Sequence, residues 1–322
     1  MNLVLSVLAV LALAALGLVA FTARTARRVV SVLPPMGRFV DLPGARLHLV
    51  ERGQGSAVLL VQPLAGTLGN FTYGLVDALA AQHRVVAVDR PGAGYSVRAS
   101  GAACTPQAQA DVLAALIETL QLGRPLVMGH SLGGAVALAL ALRHPQSVAG
   151  LALVAPLTHV PEGVPPAFAG LAITQGWLRT LVAWTLAVPA MIAKRDLLLG
   201  LVFGPEPVPG DFDIRGGALL GLRPSHFIAA SADLSAVPES LPELQEHYAQ
   251  LRLPVCVLFG RGDRILSPRA QGEALAALVP GAQFTLVDGG HMLPVTQPAL
   301  TARFVHEAAL RAAALAMPRT GA

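Results

Sequence analysis

The sequence predicts an α/β fold with a mostly parallel central sheet flanked by helices, because short apolar segments alternate with longer helical ones. Two further observations complete this prediction. The alternation stops near residue 157 and resumes near residue 251, which indicates an inserted group of helices. An uncharged apolar run precedes the whole pattern and predicts an N-terminal transmembrane helix.

Composition bounds the class of protein. The 322 residues are 54% hydrophobic and 13% charged, which excludes a disordered chain and allows a large core. The net charge of +4 does not indicate nucleic-acid binding, because the arginines are scattered and Lys194 is the single lysine. Cys256 lies in an apolar run far from Cys104 and is expected to be a buried core residue. No histidine or cysteine cluster has metal-ligand spacing, so neither a metal nor another cofactor is expected.

The N-terminal run, residues 3–21, contains no charge and includes seven Leu, four Val and one Phe. A helix of this length spans about 28 Å, close to the roughly 30 Å hydrocarbon core of a bilayer. A cleaved signal peptide is the competing interpretation, but it normally has basic residues first and a shorter apolar stretch. We therefore favour an uncleaved single-pass anchor in residues 1–28. Arg24, Arg27 and Arg28 follow the run and slightly favour a cytoplasmic catalytic domain.

The first part of the sheet domain is expected in residues 29–156. Arg38–Asp41 and Arg46–Glu51 are joined by a Pro-Gly turn and predict a hairpin. The next segments are short, apolar and partly β-branched, as buried parallel strands are: Ala57–Val61, Val85–Val88, Leu126–Met128 and Val148–Val154. Helical segments separate them: Phe71–Ala81, Pro106–Leu122 and Leu132–His144.

Residues 157–250 interrupt the alternation of strands and helices. They contain many prolines, apolar helical patches and both tryptophans, Trp177 and Trp184. No patch reaches 18 uncharged residues, so a helical cap over the sheet edge is expected rather than further membrane spans. The alternation resumes in residues 251–322, the second part of the sheet domain. Its elements are strand Leu253–Phe259, helix Ser267–Leu278, strand Gln283–Val287 and helix Leu300–Leu315.

Met128-Gly129-His130-Ser131-Leu132-Gly133-Gly134 carries the strongest chemical signal. Gly-x-Ser-x-Gly makes a sharp turn from strand to helix that lifts the serine hydroxyl clear of the sheet, and the small flanking residues relieve the crowding. The predicted strand before it and helix after it supply the required context. Ser131 is therefore the candidate nucleophile, and the amide of Leu132 lies at a helix N-terminus where it can stabilise an oxyanion.

A nucleophilic serine needs a base, and the base needs an orienting acid. Asp263 follows strand Leu253–Phe259, and His291 follows strand Gln283–Val287. Because catalytic groups in open α/β sheets collect at the carboxyl ends of the strands, Ser131, Asp263 and His291 are expected to converge. The chain order serine, aspartate, histidine agrees with this prediction.

These residues resemble the α/β-hydrolase superfamily, and the resemblance covers the chain from Arg38 to the last helix. The segment Asp89-Arg90-Pro91-Gly92-Ala93-Gly94-Tyr95-Ser96 is similar to a strand-ending loop of that superfamily and is assigned to turn geometry and site walls. Within the superfamily, the chain is similar to capped bacterial esterase-like or lipase-like members with an N-terminal membrane helix. The resemblance implies the fold and the catalytic machinery rather than the substrate.

One segment departs from the superfamily pattern, which usually has His-Gly after the strand equivalent to Ala57–Val61. This chain has Gln62-Pro63-Leu64, and proline has no amide hydrogen to donate. The amide of Leu64 is therefore expected to complete the oxyanion hole with Leu132. Three residues are candidates for contact with the substrate: Gln62, His130 and Trp177.

A serine nucleophile implies an acyl-enzyme, whereas an aspartate at that position would form an alkyl-enzyme ester. The leading hypothesis is a membrane-tethered hydrolase of carboxylic esters, with lipophilic acyl groups favoured by the apolar cap and the anchor. The same residues serve acyltransferases and hydrolases of carbon–carbon bonds, and these alternatives stay open. A non-catalytic binding protein with this fold is the alternative from another class, and the intact set of three residues argues against it.

Overall fold

A computed structural model describes residues 2–316, in which nine strands form one sheet. The strands are Arg38–Leu42 (β1), Ala45–Arg52 (β2), Ala57–Val61 (β3), Arg84–Val88 (β4), Val97–Arg98 (β5), Leu126–His130 (β6), Gly150–Val154 (β7), Val255–Gly260 (β8) and Gln283–Val287 (β9). Their spatial order is β1-β2-β4-β3-β6-β7-β8-β9, with β5 beside β2. β2 pairs antiparallel with β1, β4 and β5, and the remaining pairs are parallel. The predicted α/β-hydrolase fold is confirmed.

Helices cover both faces of the sheet. The α-helices among the described residues are Asn2–Val32 (α1), Gly69–Thr72 (α2), Leu75–Ala80 (α3), Pro106–Thr119 (α4), Leu132–Arg143 (α5), Gly176–Trp184 (α6), Ala187–Ala193 (α7), Arg195–Phe203 (α8), Phe212–Arg215 (α9), Pro224–His247 (α10), Ala274–Leu278 (α11), Leu293–Thr296 (α12) and Pro298–Ala316 (α13). One buried layer joins the sheet to α4, α5 and the second half of α10. The other joins it to α2, α3 and α13.

The two apolar layers explain why the sequences of the parallel strands are continuously apolar. β6, β7 and β8 are buried along their whole length, because helices pack on both of their faces. The parallel strands end at one common edge, and Ser131, Asp263 and His291 follow the ends of β6, β8 and β9 there. The fold thus brings residues 160 positions apart in sequence to a single edge.

The segment between β7 and β8 contains helices α6 to α10 and no strand among the described residues. α10 begins beside this group, but its second half places Val237, Leu241 and Leu244 in the main core. The last part of the predicted cap thus packs as a layer of the sheet domain. The cap boundaries at residues 157 and 250 stay predictions.

Helix α1 is 31 residues long, and its most apolar 18-residue stretch has a mean hydropathy of 2.8. It is long and apolar enough to cross a membrane. Its side chains are exposed from Leu3 to Gly17, whereas Thr22 and Val29 further along are buried. The helix packs against α6 and a 3₁₀ turn, Ala218–Leu222.

Three local features differ from the sequence-based expectations. The helix expected over Phe71–Ala81 is divided into α2 and α3 at Gly74, where an added Cβ would lie 3.2 Å from Pro298. The helix expected over Ser267–Leu278 begins with a wide π-type turn, Pro268–Glu273. β5 was not expected, because two residues are too few to show alternation and only the pairing with β2 defines them.

Candidate active site

Ser131 occupies the sharp turn between β6 and α5 with φ 54° and ψ −120°, a conformation that is strained for a residue with a side chain. The surrounding glycines make this turn possible. A Cβ at Gly129 would lie 2.4 Å from the Gly133 carbonyl oxygen, and one at Gly133 would lie 2.2 Å from the Val61 carbonyl oxygen. The glycines of Gly-x-Ser-x-Gly are therefore required because backbone atoms approach them closely, not because the turn must be flexible. Ser131 is 5% exposed and faces a cavity rather than bulk solvent.

Asp263 and His291 form a buried hydrogen-bonded pair. His291 Nδ1 lies 2.7 Å from Asp263 Oδ2, and the two side chains are 2% and 0% exposed. The other carboxylate oxygen, Oδ1, accepts hydrogen bonds from the amides of Ile265 and Leu266 at 2.8 and 3.0 Å. These bonds fix the carboxylate, so that Nδ1–H of His291 donates to it and Nε2 is left as the basic nitrogen.

The basic nitrogen of His291 is buried and has no hydrogen-bond partner among residues 2–316. His291 and Ser131 line the same cavity. A buried nitrogen without a partner is costly in a folded protein unless a substrate or a reacting group satisfies it. The arrangement can therefore accept a proton from a nucleophile in this cavity.

His130 precedes Ser131 and supports His291 from behind. It is fully buried, and its Nε2 lies 2.9 Å from the backbone carbonyl oxygen of His291, to which it donates. Burial, with a smaller contribution from His291, lowers the pKa of His130 to about 3, so the ring is neutral at physiological pH. His130 thus holds the His291 loop and does not line the two cavities at Ser131.

The buried neutral His130 predicts acid sensitivity. Because its folded pKa lies below the unfolded value of about 6.5, the unfolded chain binds the proton first, and stability falls as pH drops from 6.5 towards 3. Each pH unit in this window costs about 1.4 kcal/mol. Between pH 6.5 and 4.5, urea unfolding in detergent should show the wild type losing about 2 to 3 kcal/mol more than His130→Gln. The exposed His247→Gln is the matched control, and parallel pH profiles for His130→Gln and wild type would contradict the assignment.

Leu64 and Leu132 lie with Ser131 on the wall of one cavity. The amide of Leu132 is the first of α5 and so has no acceptor within the helix. Pro63 donates nothing, but its carbonyl oxygen and that of Gln62 accept hydrogen bonds from Arg90 at 3.1 and 2.9 Å. Arg90 therefore holds the loop that carries the Leu64 amide, through the carbonyl oxygens of the two preceding residues.

Arg90 is fully buried, and its guanidinium is the centre of a network that the sequence did not reveal. Nη1 donates to Asp233 of α10 at 2.7 Å and to Gln109 of α4 at 2.6 Å. Burial lowers the pKa of Arg90, and the Asp233 carboxylate opposes this shift. His226 of α10 adds a second bridge, because its Nε2 lies 3.1 Å from the Ala65 carbonyl oxygen.

The three residues predicted to contact substrate lie elsewhere. Gln62 is fully buried, and its Oε1 accepts a hydrogen bond from the Arg90 amide at 2.7 Å. Trp177 is 71% exposed on α6. Neither of these residues, nor His130, lines the two cavities at Ser131. Gln62 and His130 are held by the core, and Trp177 points outward, because the cap turns a different face of α6 towards the protein.

Two cavities meet at Ser131, and Leu64 and Phe168 also line both. The larger has a volume of about 910 Å³ and extends between the cap helices and the sheet edge. The smaller has a volume of about 160 Å³ and is lined by apolar residues apart from Ser131, including Leu157, Val160 and Leu234. The larger volume lies in the range of small-molecule sites, and two spaces at one serine can receive the two halves of a cleaved molecule.

This fold and site define an α/β-type hydrolase. A sequence model described as alpha/beta hydrolase fold matches residues 56–298, and the chain belongs to that family. It is 30% identical over 244 residues to the 2-hydroxy-6-oxononadienedioate/2-hydroxy-6-oxononatrienedioate hydrolase of Burkholderia vietnamiensis, covering 74% of this chain and 81% of that protein.

Solved structures agree with the assignment. A thermophilic esterase from Thermogutta terrifontis superposes with a TM-score of 0.67 at 26% identity, covering 84% of this chain and 97% of that chain. The enol-lactonase of Burkholderia xenovorans gives a TM-score of 0.69 at 21% identity over 84% and 98%, a likeness of fold alone. The chain is a hydrolase, and its bond specificity is a separate question.

Proposed function

We propose that this chain hydrolyses carboxylic esters with lipophilic acyl groups through Ser131, His291 and Asp263. Ser131 Oγ attacks the ester carbonyl carbon while His291 Nε2 takes its proton, and the alcohol leaves with that proton. Water then attacks the acyl-enzyme by the same route and releases the acid. The observation that carries the proposal is the buried Asp263–His291 pair, whose free Nε2 shares a cavity with the turn serine.

The oxyanion of each tetrahedral intermediate is assigned to the amides of Leu64 and Leu132. The Leu132 amide gains from its place at the N-terminus of α5, where the helix dipole favours negative charge. The Leu64 amide depends on the loop that Arg90 and His226 hold. In other enzymes, removal of one oxyanion donor of this kind lowers kcat by roughly 10²–10³-fold.

A second candidate is hydrolysis of a carbon–carbon bond, favoured by the identity with the Burkholderia vietnamiensis enzyme. The dienedioates in that enzyme's name carry two carboxylates. Here the charged residues among those lining the two cavities are Lys194, Arg195 and Asp213. Arg195 lies 2.6 Å from Asp213, and Lys194 is exposed. The cavity thus offers little to a dianion, which supports an uncharged ester.

A panel of p-nitrophenyl esters tests the proposal. Each buried methylene contributes about 0.8 kcal/mol, so four more methylenes should raise kcat/KM about two hundredfold from acetate to hexanoate. We expect acyl chains of roughly six to ten carbons to be cleaved best. Leu198→Trp, which adds bulk to the cavity wall, should remove most of this gain for octanoate and leave acetate unchanged, whereas the exposed Leu278→Trp should change neither.

Flat or falling kcat/KM from acetate to octanoate would remove the lipophilic specificity. A faster reaction with a 2-hydroxy-6-oxo dienedioate than with any ester would make carbon–carbon hydrolysis the function. Both substrates are assayed on the same preparation, so that inactive protein is not mistaken for specificity.

Membrane tethering by residues 3–21 is part of the proposal. The full-length protein should sediment with membranes and be released by detergent but not by high salt, because salt weakens surface electrostatics and leaves an inserted apolar helix unaffected. Release by salt alone, or recovery of a mature chain that lacks these residues, would contradict an uncleaved anchor.

A further inference from the structure

Helices α6 and α7 carry an apolar face that no described residue covers. Trp177, Leu181 and Trp184 recur every three or four positions along α6 and are 71%, 51% and 39% exposed. Leu186, directly before α7, and Ile192 within α7 are also exposed, at 58% and 46%. We call these five side chains the apolar face. Contiguous exposed apolar residues of this size mark interaction sites in soluble and membrane-bound proteins.

The opposite side of the same helices is packed. Ala183 and Ala187 are buried and form a small cluster with Phe227 of α10. The two helices are nine and seven residues long and bend by 58° at their junction. At 1.5 Å per residue they reach about 14 and 10 Å, too short to span a hydrocarbon core of roughly 30 Å. They therefore present one apolar side to the protein and one outward.

The apolar face contains no charge. Between Gly163 and Ala193 the one charged residue is Arg179, which is half-buried. Its guanidinium donates from Nε to Ser231 Oγ at 2.9 Å and from Nη2 to the Ile173 carbonyl oxygen at 2.7 Å, so it points into the protein. Exposed positive charge resumes only at Lys194, beyond the end of the face.

The neighbouring helix α1 locates this surface relative to a bilayer. α1 packs against α6, and its side chains are exposed up to Gly17 and first become partly buried at Leu18. The uncharged run ends at Phe21, and Arg24 is the first charged residue. Burial of α1 side chains thus begins close to where α1 would leave the hydrocarbon. Because α1 packs against α6, this places the cap near the membrane surface in either orientation.

The larger cavity shares wall residues with the apolar face. Leu186 and Ile192 of the apolar face line this cavity, as does Leu197 of α8, which is 62% exposed. The 3₁₀ turn Ala218–Leu222, against which α1 packs, also contributes to its wall. A lipophilic molecule at the membrane surface would meet mostly apolar side chains on its way through this cavity to Ser131.

From these observations we propose that the apolar face lies at the boundary between headgroups and acyl chains, and that the cavity takes lipophilic esters directly from the bilayer. Tryptophans favour this boundary, and apolar helix faces bury there to a depth of about 5–10 Å. The second half of the inference rests on the proposed ester hydrolysis. The first half does not, and it can be tested without any substrate.

The first experiment uses the two tryptophans, which are the only ones in the chain and both lie on the apolar face. Full-length protein is reconstituted into phosphatidylcholine vesicles, with or without bromine on the upper acyl chain. Brominated lipid should quench about half or more of the tryptophan emission, and aqueous iodide should quench little. Trp177→Phe and Trp184→Phe assign the signal to each residue. Strong iodide quenching, or shielding from both quenchers as a protein partner would give, overturns the proposal.

The second experiment tests substrate entry. Leu181→Glu, which puts a charge on the face away from the cavity wall, should lower hydrolysis of a long-chain ester embedded in vesicles roughly tenfold. The same variant should hydrolyse a water-soluble short ester at the wild-type rate. Leu278→Glu, at a similarly exposed leucine on α11, is the matched control and should change neither rate. Equal loss on both substrates, or on neither, contradicts uptake from the bilayer.

The two experiments separate the possible failures. Bromolipid quenching without ester hydrolysis would leave the membrane-facing surface standing and remove the proposed substrate class. Ester hydrolysis with iodide-accessible tryptophans would leave the function standing and remove the membrane-facing surface.

Discussion

Ser131→Ala is expected to lower kcat for ester hydrolysis by about 10⁶, because a nucleophile that acts with a base and an acid cannot be replaced by water at comparable rate. This corresponds to roughly 8 kcal/mol in the activation free energy. Labelling by a fluorophosphonate probe should disappear with the activity. The fold should persist, since the hydroxyl makes no hydrogen bond that the core requires and alanine occupies the same strained turn.

Ser225→Ala is the matched control, because Ser225 is exposed at the start of α10 and lies outside both cavities. It should retain wild-type activity and labelling. If Ser131→Ala kept more than a few per cent of the activity, or still reacted with the probe, Ser131 would not be the nucleophile. Labelling of the wild type that disappears in Ser131→Ala would also exclude a non-catalytic binding protein, because such a protein has no reactive serine.

Asp263→Asn is expected to lower kcat about 10⁴-fold with little change in KM. The asparagine amide would donate towards His291 Nδ1 and favour the tautomer in which Nε2 carries the proton, so the histidine could no longer act as a base. The amides of Ile265 and Leu266 still meet an oxygen, so the loop geometry should be retained. A pH profile of kcat/KM separates this effect from unfolding.

Asp288→Asn is the matched control, because Asp288 lies three residues before His291 but its side chain is fully exposed. Its nearest ion-pair contact is Arg261 at 3.5 Å, an exposed pair of little energetic weight. The rate should stay near that of the wild type. The opposite result, a large loss for Asp288→Asn and a small one for Asp263→Asn, would move the acid to position 288.

The sequence by itself determined the fold class, because alternating short strands and helices leave few arrangements other than a parallel sheet covered on both faces. It also determined which strands precede Ser131, Asp263 and His291. The turn glycines could be identified because their steric requirement is local, as the contacts at Gly129 and Gly133 show. The apolar run in α1 needs no tertiary information, since length and hydropathy define it.

The tertiary structure alone decided what surrounds these residues. Arg90 and Asp233 are 143 positions apart, and no periodicity connects them, because local patterns report only neighbours within a few residues along the chain. The same limit applies to Gln62, His130 and Trp177, which the sequence predicts as substrate contacts. Their neighbourhood in sequence gave no sign that the first two face the core and that α6 turns the third away from the cavity. Which apolar face of the cap meets the protein and which meets the exterior depends on packing against Phe227 and α1, and that packing exists only in the folded chain.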